Sequence, residues 1–309
     1  MTAVPLYINS LKDGRIADKI TQAEQISLSC TLCPRKCEVN RLDGETGFCS
    51  TERYAQVASY NLHFGEESPL VGRGGSGTVF FAHCNLGCTF CQNFDISCNT
   101  SGFKEYSHSD LAEIFLDLQS SGAENINLVT PSHVILPILK SILIASSKGL
   151  KIPLVYNTSS YDELSSLRLL DGIVDIYLAD IKFFHSRHAD KYAHAPDYPE
   201  KAKQAVLEMH RQMGSLIIDD KGRAYKGLMI RHLVMPDDLA GSEMWLDFIA
   251  QNLPADTYIN IMGQYHPAGN AAEFPELMKN VPGSVVEELK QKARFLGLTR
   301  LDKRKSIFF

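Results

Sequence analysis

A chain of 309 residues is long enough for one large domain or two ordinary ones, and length alone does not choose between them. Apolar residues make up 44% and charged residues 22%, ordinary globular usage that fills a sizeable core and gives no reason to expect disorder. With 36 acidic residues against 31 basic ones the net charge is −5, which supplies no general electrostatic pull toward nucleic acid or a membrane.

The chain starts "MTAVPLYINS", without the basic region and sustained apolar run of a secretory signal. Its longest apolar stretch, Val134 to Ala145, is interrupted by Pro137 and Lys140 and is too short to span a bilayer. A soluble cytoplasmic protein is the resulting expectation, and in a reducing compartment clustered thiols read as metal ligands rather than disulfides. All eight cysteines fall between Cys30 and Cys98. The first group, Cys30, Cys33, Cys37 and Cys49, is a complete ligand set at C-x2-C-x3-C-x11-C spacing. It fits a structural zinc knuckle, the preferred reading, and also an auxiliary [4Fe–4S] cluster. Zinc would hold together a segment too small for a core of its own. Residues 1–70 therefore read as an N-terminal Cys-rich metal-binding module and residues 71–309 as the core.

The loop Gly72–Gly77 is glycine-rich but lacks a following Gly-Lys-Ser/Thr, so it fails as a nucleotide phosphate loop. It reads as a flexible lead-in to the first strand, near enough to the second cysteine group for close backbone approach to a ligand. That second group is Cys84, Cys88 and Cys91, with Cys98 trailing, and it begins where the strand-like run "GTVFFAH" ends. Three thiolates at C-x3-C-x2-C spacing reach three corners of an iron–sulfur cube from one tight loop. A fourth would close the cube, whereas three leave one iron open, as catalysis needs. Parallel α/β folds carry their active sites at the carboxyl ends of strands, so the placement agrees. The competing reading is structural zinc with Cys98 as fourth ligand; C-x6-C after Cys91 is uncommon for zinc, and Cys98 reads as a spare thiol.

Strand-like runs occur at Thr78–Ala82, Asn125–Thr130, Ile152–Asn157, Val174–Ile181, Gly227–Val234 and Thr257–Met262. Helical patterns lie at Ser109–Ser120, Ser132–Ser147, Tyr161–Leu170, Pro199–Met213 and Ser242–Gln251, with a final one at Val285–Phe295. Nearly continuous apolar strands are those of a parallel sheet covered on both faces. Six β-α units in series predict a partial, TIM-like (β/α)6 barrel, with an open doubly wound sheet as the alternative. The segment "LIIDDKGRAYKG" reads as a turn-bearing insertion, and Lys303, Arg304 and Lys305 as a solvated basic tail.

Seven strings carry a family likeness: "CTLCPRKCEVNRLDGETGFC", "GSGTVFFAHCNLGCTFCQN", "NINLVTPSHV", "PLVYNTSSY", "DGIVDIYLADIK", "RHLVMP" and "INIMGQYHPAG". On them the chain, from about Gln25 onward, resembles radical S-adenosylmethionine (SAM) enzymes of the pyruvate formate-lyase-activating-enzyme-like group, most closely the PflX-type branch. The first two strings and the last are the specific ones. The resemblance implies the radical SAM partial barrel, with a [4Fe–4S] cluster on Cys84, Cys88 and Cys91 whose open iron binds the amino and carboxylate groups of SAM. It implies one-electron cleavage of SAM to methionine and a 5′-deoxyadenosyl radical that takes a hydrogen atom from a substrate. An electron donor such as flavodoxin or ferredoxin is implied with it.

The resemblance also assigns residues. Phe90 matches an aromatic position against adenine. Where the family has a Gly-Gly-Glu segment for the methionine amino group, this chain has Thr130, Pro131, Ser132 and His133. Backbone carbonyls and the Thr130 or Ser132 hydroxyl can accept from an ammonium, while Ser132 equally suits a helix cap. Asp180 and Lys182, two apart on a strand, point to one face, and buried charges there require partners. Lys182 matches a contact to the SAM carboxylate; an ordinary ion pair is the other reading. Asn157, Thr158 and Asp180 resemble a monovalent-cation site, with Asn157 replacing an acidic residue. Arg231 and His266 match further SAM contacts, whereas His232 faces the other way.

The substrate stays open. One variant activates a partner protein by generating a glycyl radical on it; the extra four-cysteine segment weighs against that variant. Another modifies a small molecule, peptide or RNA. The alternative class is a non-catalytic, zinc-ribbon-like protein that binds nucleic acid or protein. The acidic charge, the lack of basic–aromatic interleaving and the length of the α/β core argue against it.

Overall fold

The computed structural model describes residues 4–98 and 102–303. The chain opens with α1 (Leu6–Lys12) and α2 (Arg15–Leu28), passes the first cysteine group, and continues as β1 (Ala55–His63) and α3 (Ser68–Val71). It then alternates: β2 (Ser76–Phe81), α4 (Phe94–Ser97), β3 (Lys104–Tyr106), α5 (His108–Ser120), β4 (Ile126–Val129), α6 (Ile135–Ser147), β5 (Leu154–Thr158), α7 (Leu164–Leu170) and β6 (Ile176–Ile181). The last stretch holds α8 (Ser186–Ala193), α9 (Tyr198–Met213), β7 (Ile217–Ile218), β8 (Ala224–Leu233), α10 (Ser242–Asn252), β9 (Tyr258–Met262) and α11 (Gly283–Phe295).

Strands β2, β4, β5, β6, β8 and β9 pair in chain order, every neighbour parallel. They are the six apolar runs read from the sequence, within one to three residues at each end. All five residues of β5 are buried, as are five of six in β2 and β6, so both faces of this sheet are covered. The result is a mixed α/β fold with a parallel sheet. Three antiparallel strands went unseen. β1 pairs with β2, β3 with β1, and β7 with β8. β1 escaped notice because its sequence AQVASYNLH is polar and half-exposed rather than apolar. β7 and β8 form a hairpin across the anticipated insertion, its turn closed by Asp219, which accepts from the Lys221 and Arg223 amides at 2.9 Å.

The N-terminal helices are sewn to the amino end of the sheet. Leu6 N donates to Asp175 Oδ1 (2.8 Å), Tyr7 OH to Ile152 O (3.0 Å) and Ser10 Oγ to Gly172 O (2.7 Å). The same end holds the Gly72–Gly77 loop, which corrects the expectation that it approaches the second cysteine group. A Cβ on Gly74 would sit 1.9 Å from Gly122 O, and the Arg73 and Gly74 amides donate to Glu124 Oε1 at 3.1 Å. The glycine therefore permits backbone packing at the start of β4, away from any ligand. Arg304 and Lys305 of the basic tail lie outside the described residues. Among the described residues no helix is long and apolar enough to cross a membrane.

His232 on β8 is fully buried, with Nδ1 3.0 Å from Ile181 O and Nε2 2.8 Å from Ser242 Oγ. The carbonyl only accepts, so Nδ1 carries the proton and Nε2 takes the hydroxyl's. Burial drives its pKa down to about 4, against the pull of the Ile181 carbonyl. The folded value lies below that of an unfolded histidine, so the unfolded chain binds more protons between about pH 6.5 and 4. The stability that the neutral ring supports is complete above that window and is lost as pH falls through it. Urea midpoints at pH 7 and pH 5 should therefore differ, and His232→Gln should remove part of that difference. An unchanged pH dependence in the variant would contradict the assignment.

Candidate active site

At the carboxyl ends of the parallel strands lies a cavity of about 390 Å³. Cys84, Cys88, Phe90, Cys91, Thr130, Asn157, Asp180, Lys182 and Arg231 all border it. The cysteines come from one loop, turned by left-handed conformations at His83 and Gly87 (both φ +67°). At Gly87 a Cβ would press within 2.9 Å of the Phe48 ring, so glycine is required there on two counts. The loop is held by His83 N donating to Ile96 O (2.7 Å) and Cys91 N to Cys88 O (3.2 Å).

Burial pushes the Cys84 thiol up to about 11, although the Gly87 and Leu86 amides favour its thiolate. Cys88 is raised further, again first by burial, with the Lys182 ammonium pulling the other way. Such thiols keep their protons until a cation displaces them. Cys98 follows α4 and is bridged to Cys91 by the Ser97 hydroxyl (3.2 Å to Cys91 Sγ, 3.5 Å to Cys98 Sγ).

Opposite the thiols is a buried charge network. Arg231 donates through Nε to Asp180, through Nη2 to Asn157 Oδ1 (2.8 Å) and through Nη1 to Glu66 Oε2 (3.2 Å). Lys182 Nζ lies 3.4 Å from Asp180 Oδ2. Burial alone would raise the Asp180 carboxyl, but Arg231 and Lys182 together hold it below the usual carboxylate range. Burial would likewise lower Lys182, but Asp180 together with the Cys88 and Cys91 thiols holds it above the usual lysine range. Glu66 is kept low by His63 and Arg231 against its own burial, whereas burial wins at Glu67 and raises it. Asn157 and Asp180, read from sequence as cation ligands, thus hold a guanidinium between them. Thr158 is committed elsewhere, donating to Asp162 Oδ2 at 2.6 Å.

Two residues depart from their sequence reading. Ser132 does not cap a helix and does not border the cavity. Thr130 takes a left-handed turn (φ +57°), α6 starts only at Ile135, and the buried Ser132 hydroxyl meets Thr158 Oγ1 at 3.2 Å. His266 does not border the cavity either. Nor does its neighbour Tyr265, which is buried 6.1 Å from the Phe90 ring with its hydroxyl on Leu277 O (2.7 Å); Gln264 is the residue of this loop that borders the cavity. His266 is left on the outer side, its Nδ1 3.3 Å from Gln92 Nε2. Sequence reasoning missed Glu66 and Ser159. Glu66 reaches Arg231 from the β1–α3 turn, which nothing local announces. Ser159, within the string already singled out, borders the cavity with its Oγ buried and unpartnered.

The N-terminal thiols Cys30, Cys33, Cys37 and Cys49 border a separate, nearly closed void of about 10 Å³ with Arg41, Phe48 and His133. Burial, reinforced by the neighbouring cysteines, pushes Cys33 up to about 12. Among the described residues no three His, Cys, Asp or Glu side chains are gathered tightly enough to hold one metal ion. The larger cavity suits a different guest. Three soft thiols from one loop, an unpartnered hydroxyl and a lysine facing roomy space fit an open polynuclear iron–sulfur cluster with a polar ligand beside it.

No family model matches the chain. In structure it is similar to a radical SAM methyltransferase from Sphaerobacter thermophilus, with a TM-score of 0.50 and 12% identity over 73% of this chain. That alignment spans 65% of the methyltransferase chain, just under two thirds of it. A methylornithine synthase (PylB) aligns over 74% of this chain and 71% of its own, with a TM-score of 0.44 and 12% identity. The fold is thus one that radical SAM proteins use. The chain belongs to the family of the uncharacterized protein MJ0674 of Methanocaldococcus jannaschii, to which it is 32% identical over 289 residues, 91% of this chain and 78% of that one.

The charge network makes a stability prediction. Removing a guanidinium from buried carboxylates strips each of a positive partner, so Arg231→Met should cost about 3 kcal/mol in urea unfolding. Adding Glu66→Gln, which removes one of the carboxylates that Arg231 compensates, should recover part of that loss. A loss within measurement error for the single variant would show that the network does not support the fold.

Proposed function

We propose that this chain is a radical SAM enzyme. The observation that carries the reading is the placement of the C-x3-C-x2-C thiols, Lys182 and Arg231 around one cavity at the carboxyl ends of the parallel strands. Cys84, Cys88 and Cys91 would hold a [4Fe–4S] cluster, with Lys182 and the Thr130 turn placed to hold SAM beside it. Cluster and SAM, when bound, would supply the one-electron chemistry that takes a hydrogen atom from substrate.

The protein's own work is placement. Lys182, oriented by Asp180, presents an ammonium to a carboxylate, and the turn at Thr130 presents a hydroxyl and carbonyl to an ammonium. Phe90 is fixed edge-on against Phe183 (5.7 Å, 86°) and backed by Tyr265, an apolar wall that suits a flat base and excludes water. Arg231, bonded to Asp180, Asn157 and Glu66, stiffens the far wall. The motif strings support the PflX-type branch of the pyruvate formate-lyase-activating-enzyme-like group. A small electron carrier such as flavodoxin or ferredoxin, a partial (β/α)6 barrel and a second metal group on Cys30, Cys33, Cys37 and Cys49 belong to the same reading. So does a cytoplasmic location. The substrate, whether a glycyl-radical partner protein or a small molecule, peptide or RNA, is not assigned.

Anaerobic reconstitution with iron and sulfide, reduction and addition of SAM should yield 5′-deoxyadenosine. Cys88→Ala should lower that product at least a hundredfold with secondary structure intact. Absence of product from a loaded, reduced wild-type protein would sink the proposal. Iron, sulfide and zinc counts on a Cys84→Ala, Cys88→Ala, Cys91→Ala variant identify the metal on the N-terminal cysteines.

A further inference from the structure

Two peptide groups inside the cysteine loop are held from both ends. On one side the Leu86 amide hydrogen-bonds the Cys84 sulfur (3.3 Å), and the Gly87 amide also favours its thiolate. On the other side the carbonyls of the same two peptide planes, Asn85 O and Leu86 O, accept from one guanidinium. Arg35 Nε donates to Asn85 O and Arg35 Nη2 to Leu86 O, both at 2.9 Å. A charged donor on a carbonyl oxygen polarises the amide and strengthens the bond that its N–H makes. Each link therefore runs from guanidinium through peptide to sulfur.

Arg35 is built to hold this position. Its remaining donors go to Ala193 O (2.8 Å) and His194 O, at the carboxyl end of α8, where a cation is favoured. The guanidinium lies 3.8 Å from the Phe48 ring centre and 5.3 Å from that of Tyr161. Asn85 is pinned independently, its Nδ2 on Tyr161 O at 2.6 Å. Every hydrogen bond that Arg35 makes among the described residues is to a backbone carbonyl, so no carboxylate neutralises its charge there. Arg35 itself sits between Cys33 and Cys37, inside the N-terminal cysteine group.

We infer that Arg35 is a positioning residue that raises the reduction potential of the cluster on Cys84, Cys88 and Cys91. The inference rests on the radical SAM reading of that site. Hydrogen bonds to ligand sulfurs and nearby positive charge favour the reduced, more negative cluster. The N-terminal cysteine segment thereby sets the redox poise of a centre some 50 residues further along the chain.

The test uses the full-length holoprotein, reconstituted anaerobically, with iron and sulfide counted. The midpoint potential is read by titration of the paramagnetic signal that Cys88→Ala abolishes. In Arg35→Ala the equilibrium constant for reduction should fall about tenfold, equivalent to about 59 mV more negative for one electron. Arg35→Lys keeps the charge but cannot grip two carbonyls in one fork, so its potential should fall between those of wild type and Arg35→Ala. A fully loaded Arg35→Ala protein with the wild-type potential overturns the inference. If Arg35→Ala fails to fold, Arg35→Lys decides alone: a negative shift supports the role and an unchanged potential overturns it. A wild-type protein that takes up no cluster instead refutes the proposed function, an outcome distinct from a loaded variant with an unshifted potential.

Discussion

Strands buried on both faces make an unpaired polar side chain costly along their length, so chemistry gathers where they stop. β5 and β6 obey this constraint closely and turn polar only in their last residues or just beyond, whereas β4 departs from it at the buried Asn127. Thr130 follows β4, Asn157 and Thr158 end β5, and Asp180 and Lys182 straddle the end of β6. Parallel pairing then brings these ends side by side, with Asp180 directly opposite Arg231 in register. The cavity is a consequence of sheet geometry before it is a consequence of any one residue.

The same constraint divides the two cations of the cavity into different roles. Arg231 meets Asp180, Asn157 and Glu66 at once, giving them three of its five donors. Lys182 Nζ has one partner among the described residues, at 3.4 Å. A ligand carboxylate arriving in the cavity finds the ammonium less committed than the guanidinium. Asp180, shared by both, transmits any shift of one cation to the other.

Local patterns made some of this legible and topology hid the rest. The cysteine spacing lies within eight residues, so sequence alone places three thiols together. Strand periodicity puts Asp180 and Lys182 on one face, and the ion pair follows. Glu66 meets Arg231 across 165 residues, and Arg35 meets Leu86 across 51, through loops whose course no periodicity announces. His266 shows the limit of placement by position along the chain. A strand end brings a loop to the cavity, but which of its residues reaches it is decided by packing: Gln264 borders the cavity while Tyr265 is buried against the Phe90 ring.

That packing logic also explains why the N-terminal cysteine segment is more than an appendage. Arg41, buried beside those thiols, donates to Thr51 O (3.0 Å) and Glu52 O (2.8 Å) of its own segment and to His133 O (2.6 Å) in the loop after β4. The His133 ring in turn lies 2.9 Å from Ala82 O, just before the cysteine loop. Arg35 grips that loop directly, and Phe48 fills the space that Gly87 leaves. Two arginines from one short segment thus hold the loops after β2 and β4, the two that frame the thiols and the Thr130 turn. A guanidinium satisfied by backbone carbonyls fixes main-chain position rather than side-chain identity. Ordering of the N-terminal cysteines by a bound metal would therefore act on the active-site backbone through Arg35 and Arg41, with no side chain of that segment needing to enter the cavity.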